Sequence, residues 1–316
     1  MDIALALAAA LLFALGTVLQ QKAGLDEPDA TAGSSSGLLL RMARKPVWLA
    51  GIAADALGFV GQAVALTIGR LAVVQPLLAT SMVFALPLGH RLTAQRVTRS
   101  DIGAAVLVTA SLIAFLTIAN PTGGRDDAPI GQWLVLGAII AGLCVPLTLA
   151  SLKARPAVKA TLLGIVTGIL FGLSAALTKS VGDEVADHLF RVFLDWHLYA
   201  LIVIGYISMT FNQLALTTGV LAPALAASMA LDPITSVVIG TTLMEESLHE
   251  SPAGIAATVG ALAATVIGMA ILARTSQGQA APKPGSGGPV ADVRRAECAE
   301  TAERAERAGS EPAPTS

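Results

Sequence analysis

AVALTIGRLA, residues 63–72, returns 150 positions later as QLALTTGVLA, residues 213–222. Self-similarity at a fixed offset is the first thing to seek in a chain, because it sets the architecture. Carried forward, the offset lays AQRVTRSDIGAAV (94–106) against EESLHESPAGIAA (245–257) with one residue of slippage. Carried back, it brings FALGTVLQQK (13–22) beside FGLSAALTKS (171–180).

The setting of this repeat is apolar almost throughout. Of 316 residues 54% are hydrophobic and 13% charged, with a mean hydropathy of +0.71. A soluble domain carries roughly 25% charged residues, so this chain is too poor in charge to clothe a water-exposed surface. A net charge of −2 gives no basic excess for nucleic acid. A bilayer crossing needs about 20 apolar residues in a helix. Nine stretches qualify: 3–22, 48–69, 71–92, 101–120, 131–152, 161–181, 197–219, 221–243 and 253–273. The expected fold is therefore all-α integral membrane. The first run has no basic start and is followed by Gln20, Gln21 and Lys22, so it reads as an uncleaved helix. Spans 2 and 3 meet at Gly69-Arg70 and spans 7 and 8 at Gly219-Val220, two tight turns in which glycine supplies unusual backbone angles.

Spans 1–4 match spans 6–9, and span 5 is the odd connector. The expected layout is repeat 1 over about 3–120, a connector helix over 131–152 and repeat 2 over 161–273, within a transmembrane domain 1–274. Residues 275–316 turn rich in Gly, Pro, Ala and Ser and read as a disordered cytoplasmic tail. With one helix intervening, the two halves run in opposite directions, the inverted repeat of many secondary transporters. Basic residues set the orientation. Lys22, Arg41, Arg44, Lys45, Arg91, Arg96, Arg99, Lys153, Arg155, Lys159, Arg274 and Lys283 fall on one side, against Arg70, Arg125, Arg191 and Lys179 on the other. This puts the N-terminus outside and the C-terminus in the cytoplasm of a cell whose plasma membrane holds the protein.

Polar groups inside a span are costly, so each is either satisfied or used. Ser228, Asp232 and Ser236 share one face of span 8, and Pro233 frees the carbonyl of Met229 beside Asp232. Span 3 is interrupted by Pro76 and Pro87, with Gln75 just before the first; proline-broken helices in corresponding halves point to a transport site. Gln62 and Asn212 stand at the repeat offset, and Asp55 lies two turns before Gln62 on the same face. Lys179 and Gln21 occupy matching places in the two halves; Lys179 either snorkels to the interface or serves a gate or anionic group. The candidate binding or coupling residues are thus Asp232, Asn212, Gln62, Gln75, Ser228, Ser236, Asp55, Lys179 and Gln21. Cys144 and Cys298 have no disulfide or metal spacing, the four histidines stand apart, and no Walker loop or nucleophile elbow occurs. No cofactor, no catalytic residue and no enzyme activity are expected.

These features resemble the drug/metabolite transporter superfamily, EamA-like group, over residues 3–273. A turn similar to its L-G-E-x-L-T pattern is carried by Leu243, Met244, Glu246 and Leu248, with an added acid at Glu245, and in the first half by Gln95 to Thr98, where Gln95 replaces the usual glutamate. GFVGQAVALTIGRLAVVQPL (58–77) also resembles the NIPA-type magnesium transporters at Gly58, Gln62, Pro76 and Leu77, with Phe59 at the acidic position and Gln62 at the asparagine. The resemblance implies a secondary transporter of a small solute working by alternating access; Asp232, beside the carbonyl freed by Pro233, is the residue at which proton coupling is expected. Magnesium or another divalent cation is the alternative, held by Asp55 and Asp232; a non-transporting membrane scaffold is the second. The expected partners are the lipid bilayer, a small molecule or ion, and a second copy meeting at span 5, with no nucleic acid.

Overall fold

The computed structural model describes residues 1–25, 44–93, 97–187, 190–216, 218, 221–248 and 251–280. One body spans Met1–Gln277, and a separate C-terminal unit spans Gly278–Ser316. Among the described residues, nine helical stretches are long and apolar enough to cross a membrane: Asp2–Ala23, Pro46–Ile68, Leu71–Thr93, Arg99–Ala119, Ile130–Leu152, Pro156–Ala186, Trp196–Ala215, Pro223–Thr242 and Ala253–Leu272. Helices satisfy their own backbone groups, which is why a chain this apolar folds into them. The chain is a multi-pass α-helical membrane protein.

The helices are α1 (Asp2–Leu25), α2 (Pro46–Ile68), α3 (Leu71–Leu78), α4 (Ser81–Thr93), α5 (Arg99–Ala119), α6 (Ile130–Leu152), α7 (Pro156–Asp187), α8 (Trp196–Leu216), α9 (Leu221–Thr242) and α10 (Pro252–Ala280). Two short strands, β1 (Thr122–Gly123) and β2 (Glu246–Ser247), pair antiparallel, Thr122 opposite Ser247 and Gly123 opposite Glu246. The third span is two helices. Pro76 lacks an N–H, and the chain turns at Ala79-Thr80, where the Thr80 hydroxyl donates to the Leu77 carbonyl at 2.6 Å. Span α5 starts on a capping box: the Thr98 hydroxyl accepts from the Asp101 amide at 3.2 Å, and the Asp101 carboxylate accepts from the Thr98 amide at 2.7 Å.

Helix α7 is the hub, packing on α2, α6, α8 and α9. Gly164, Gly168 and Gly172 make one face of it. A Cβ there would lie 2.3 Å from Ala224 O, 2.5 Å from Ser228 O and 2.8 Å from Thr235 Cβ, so α7 and α9 cross backbone to backbone. Helix α1 packs in the same way on α2, where a Cβ on Gly51 would stand 3.0 Å from Gly16 O. Helices α5 and α10 meet through the Ser111 and Thr265 hydroxyls, 2.8 Å apart. The connector α6 packs on α7 and leaves most of its surface open, with only Trp133, Ile140, Cys144 and Ser151 buried.

Two expectations change. Gly69 is extended (φ −120°, ψ 177°), so the α2–α3 turn does not need the special angles of glycine. It needs the missing side chain, since a Cβ would sit 2.7 Å from Ala65 O and 2.8 Å from Asp2 Cβ. Residues 275–280, expected in the tail, continue α10; the tail beyond Ala280 and the Gly219-Val220 turn lie outside the described residues.

Candidate functional site

A cavity of about 770 Å³ lies within the bundle. Gln62 on α2, Gln75 on α3, Asn212 on α8 and Asp232 on α9 all line it. Four of the sequence candidates, two from each half, are thus brought to one space. Helix α7 adds Ser174 and Thr178. Thr178 spends its hydroxyl on the Ser174 carbonyl at 2.8 Å. Three of the lining residues also carry a polar atom that is buried behind the wall without a hydrogen-bond partner: Gln75 Nε2, Ser174 Oγ and Asp232 Oδ1. Such orphans cost roughly 1–3 kcal/mol each and call for an explanation.

The rest of the wall is apolar. Phe13, Phe59 and Phe171 contribute rings, and Met82, Met209, Met229 and Met269 are four of the chain's seven methionines. Thioether side chains are flexible and polarizable and adapt to guests of different shape.

The remaining candidates lie elsewhere. Ser228 donates to Leu225 O at 3.1 Å and is buried at the α7–α9 crossing, outside the cavity wall. Ser236, fully buried one turn from Asp232 and beside its carboxylate, does not line the cavity. Asp55 accepts from Gln20 Nε2 between α1 and α2. The α1 glutamine that engages it is therefore Gln20, while Gln21 is half-buried away from the cavity. Lys179 does not snorkel. It is buried and donates to Gly69 O at 2.9 Å, Leu66 O at 3.3 Å and the Asp126 carboxylate at 2.8 Å.

Lys179 belongs to a network at the end of the bundle that holds Gly69-Arg70, which sequence reasoning missed. The N-cap of α3, Arg70, has no side-chain capping bond. Glu246 caps the helix from the other half: Oε1 accepts from the Leu71 amide at 2.6 Å and Oε2 from the Ala72 amide at 2.9 Å. Burial pushes the Glu246 carboxyl above its usual range, against the pull of those two amides and of the Lys179 and Arg70 charges. Gly124, at φ +97°, makes room, since a Cβ there would lie 2.9 Å from Glu246 Cγ. Arg70 donates to Gly123 O at 3.2 Å. Arg125 donates to Leu243 O at 2.8 and 2.9 Å and pairs with Glu245 at 3.1 Å. Beside them His197 Nδ1 lies 2.9 Å from Asp195, and Nε2 lies 3.1 Å from Asp127, which also accepts from Trp133 at 3.0 Å. The only forewarning was Glu246 in the quoted turn and the basic residues counted for orientation. Among the described residues, no group of three or more His, Cys, Asp or Glu is placed to hold a metal ion.

Comparison with known proteins adds one relative. An uncharacterized protein of Corynebacterium glutamicum is 33% identical over 248 residues, covering 77% of this chain and 84% of the relative. The chain belongs to that protein's family. The match extends over most of both chains, so the transmembrane body, where the cavity lies, is part of what the family shares. No family model and no solved structure matches this chain.

Proposed function

We propose that this protein is a secondary transporter of a small solute, built from two inverted four-helix repeats around the cavity and working by alternating access. The observation that carries this reading is the convergence of Gln62, Gln75, Asn212 and Asp232, two from each half, on one cavity. A scaffold has no use for such a space, whereas a solute site at the repeat interface is the common plan of secondary transporters. Packing supports the repeat: α1 contacts α2, α3 and α4 much as α7 contacts α8 and α9. The Glu246, Lys179 and Arg125 network ties the halves at one end and is the natural element to break when the site opens there. The basic residues favour that end as the outer one, with the N-terminus outside and the C-terminus cytoplasmic. Resemblance to the drug/metabolite transporter superfamily supports the same mechanism. Divalent cation transport has less support, because Asp232 is the one acid on the cavity wall and a hard cation takes several oxygen ligands.

The test is ligand-dependent thermal stabilisation of the purified protein with amino acids, nucleosides, amines and divalent cations. A solute at 100 times its Kd stabilises by about 2.7 kcal/mol. The expected result is a stabilising solute whose effect disappears in Gln62→Leu and Asn212→Leu. Stabilisation that survives both changes and Asp232→Asn would overturn the assignment of the site.

A further inference from the structure

His197, in the first turn of α8, has a carboxylate on each side of its ring. Nδ1 lies 2.9 Å from Asp195 Oδ1, just before the helix. Nε2 lies 3.1 Å from Asp127 Oδ1 in the α5–α6 connection, an ion-pair contact off the line of a hydrogen bond. The residue is 4% exposed and flanked by two indoles, its ring centroid 3.9 Å from that of Trp196 and 5.5 Å from that of Trp133. Asp127 is anchored to its own surroundings: Oδ1 also accepts from the Trp133 indole at 3.0 Å, the Ala128 amide at 2.7 Å and the Ser180 hydroxyl at 3.3 Å. Asp195 instead belongs with α8, since Oδ1 accepts from the His197 amide at 3.1 Å. Of the other charged groups at this end, Lys179 pairs with Asp126, Arg125 pairs with Glu245, and Glu246 caps α3. Asp183 and Glu184 on α7 and Arg191 in the turn before α8 form no ion pair with the ring among the described residues.

A neutral imidazole carries one N–H and a charged one carries two. Both nitrogens here face a carboxylate oxygen, so only the charged ring offers a proton to each. The face of Trp196 suits the cation as well. Removing one proton sets a nitrogen lone pair against an anion, either Nε2 against Asp127 or Nδ1 against Asp195. The Asp195 contact is local and moves with α8. Asp127 is held to α6 and α7 by the Trp133 and Ser180 bonds, so this is the contact at which the start of α8 parts from the bundle. Its side chain is 45% exposed, and water solvates the carboxylate once the ring has left. Helix α8 is a wall of the cavity, to which it supplies Met209 and Asn212. We propose that His197 is a proton-operated latch: charged, it ties the start of α8 to the α5–α6 connection, and neutral, it frees that end of the cavity wall. The latch is independent of which solute the cavity takes.

The full chain in nanodiscs, carrying Trp48→Phe, tests this from about pH 5 to about pH 9, which spans the range where imidazole changes charge. Trp133 and Trp196 are then the remaining tryptophans, and contact with an imidazolium quenches indole emission. Emission is expected to rise in one step with pH, and the step to be lost in His197→Gln. Nitroxides on Gly131→Cys of α6 and Leu194→Cys before α8, both exposed positions, report the movement in a background where Cys144 and Cys298 are serine. Their separation is expected to lengthen across the same step. In Asp127→Asn a neutral amide faces Nε2, so the emission step is expected to remain while the separation no longer follows pH. That variant keeps the test decisive if His197→Gln does not fold. Flat emission, a step that survives His197→Gln, or a separation that stays constant across the step overturns the latch. A separation that still follows pH in Asp127→Asn overturns it too. The transporter reading fails separately, if no solute of any class is carried across the bilayer.

Discussion

Glu246 joins two backbone amides more than 170 residues earlier in the chain to a strand at the same end of the bundle. Glu246→Ala leaves the Leu71 and Ala72 amides buried with no acceptor, which costs about 1–3 kcal/mol in melting experiments. Glu246→Gln keeps one acceptor and loses less. The pH dependence has a definite sign. The folded protein holds this proton to a higher pH than the unfolded chain, whose reference is 4.5, so the unfolded state binds fewer protons in the window above it. This contribution to stability is therefore greatest below pH 4.5 and falls as pH rises through the raised folded value. Melts across that window are expected to show the fall in the wild type and a flatter profile in Glu246→Gln. Lys179→Met deprives Leu66 O and Gly69 O of their donor and Asp126 of its partner, and is expected to cost a similar amount, about 1–3 kcal/mol.

At the scale of elements, the glycine face of α7 decides how closely the second half packs. Gly168→Leu forces a side chain into Ser228 O and Leu231 Cβ, at 2.5 and 2.7 Å from the Cβ position, and is expected to destabilise by about 1–3 kcal/mol or prevent folding. Gly137→Leu on α6 meets nothing within 4 Å and is expected to be neutral; midpoints of the two variants read the difference. The spans were legible because apolar length alone specifies them, and Pro76 foretold the interruption of span 3, although the break falls at Ala79-Thr80. Gly69 was legible as a necessity but not for its reason, since close approach to Asp2 is a fact of packing. Of the two readings of Lys179, burial removes the snorkelling one; its carbonyl and carboxylate partners come from the end of α2, Gly69 and the α5–α6 connection, and no local pattern announces them.

For the whole molecule, the repeat offset was enough to pair Gln62 with Asn212, and burial cost was enough to single out Gln75 and Asp232. Ser174 and the four methionines lack such a signal, because what makes them part of a site is the cavity they share. Asp232→Asn is expected to abolish any pH dependence of transport; transport whose pH profile survives the change would remove Asp232 from coupling. The central claim, that the two halves alternate around this cavity, is tested most directly by locking them. Thr122 and Ser247 face each other across β1 and β2, so Thr122→Cys with Ser247→Cys, in a background where Cys144 and Cys298 are serine, forms a removable tie. Solute flux into proteoliposomes is then measured before and after oxidation. The account predicts flux in the reduced protein, none in the oxidised protein and recovery on reduction; flux undiminished by a quantitative crosslink would contradict it.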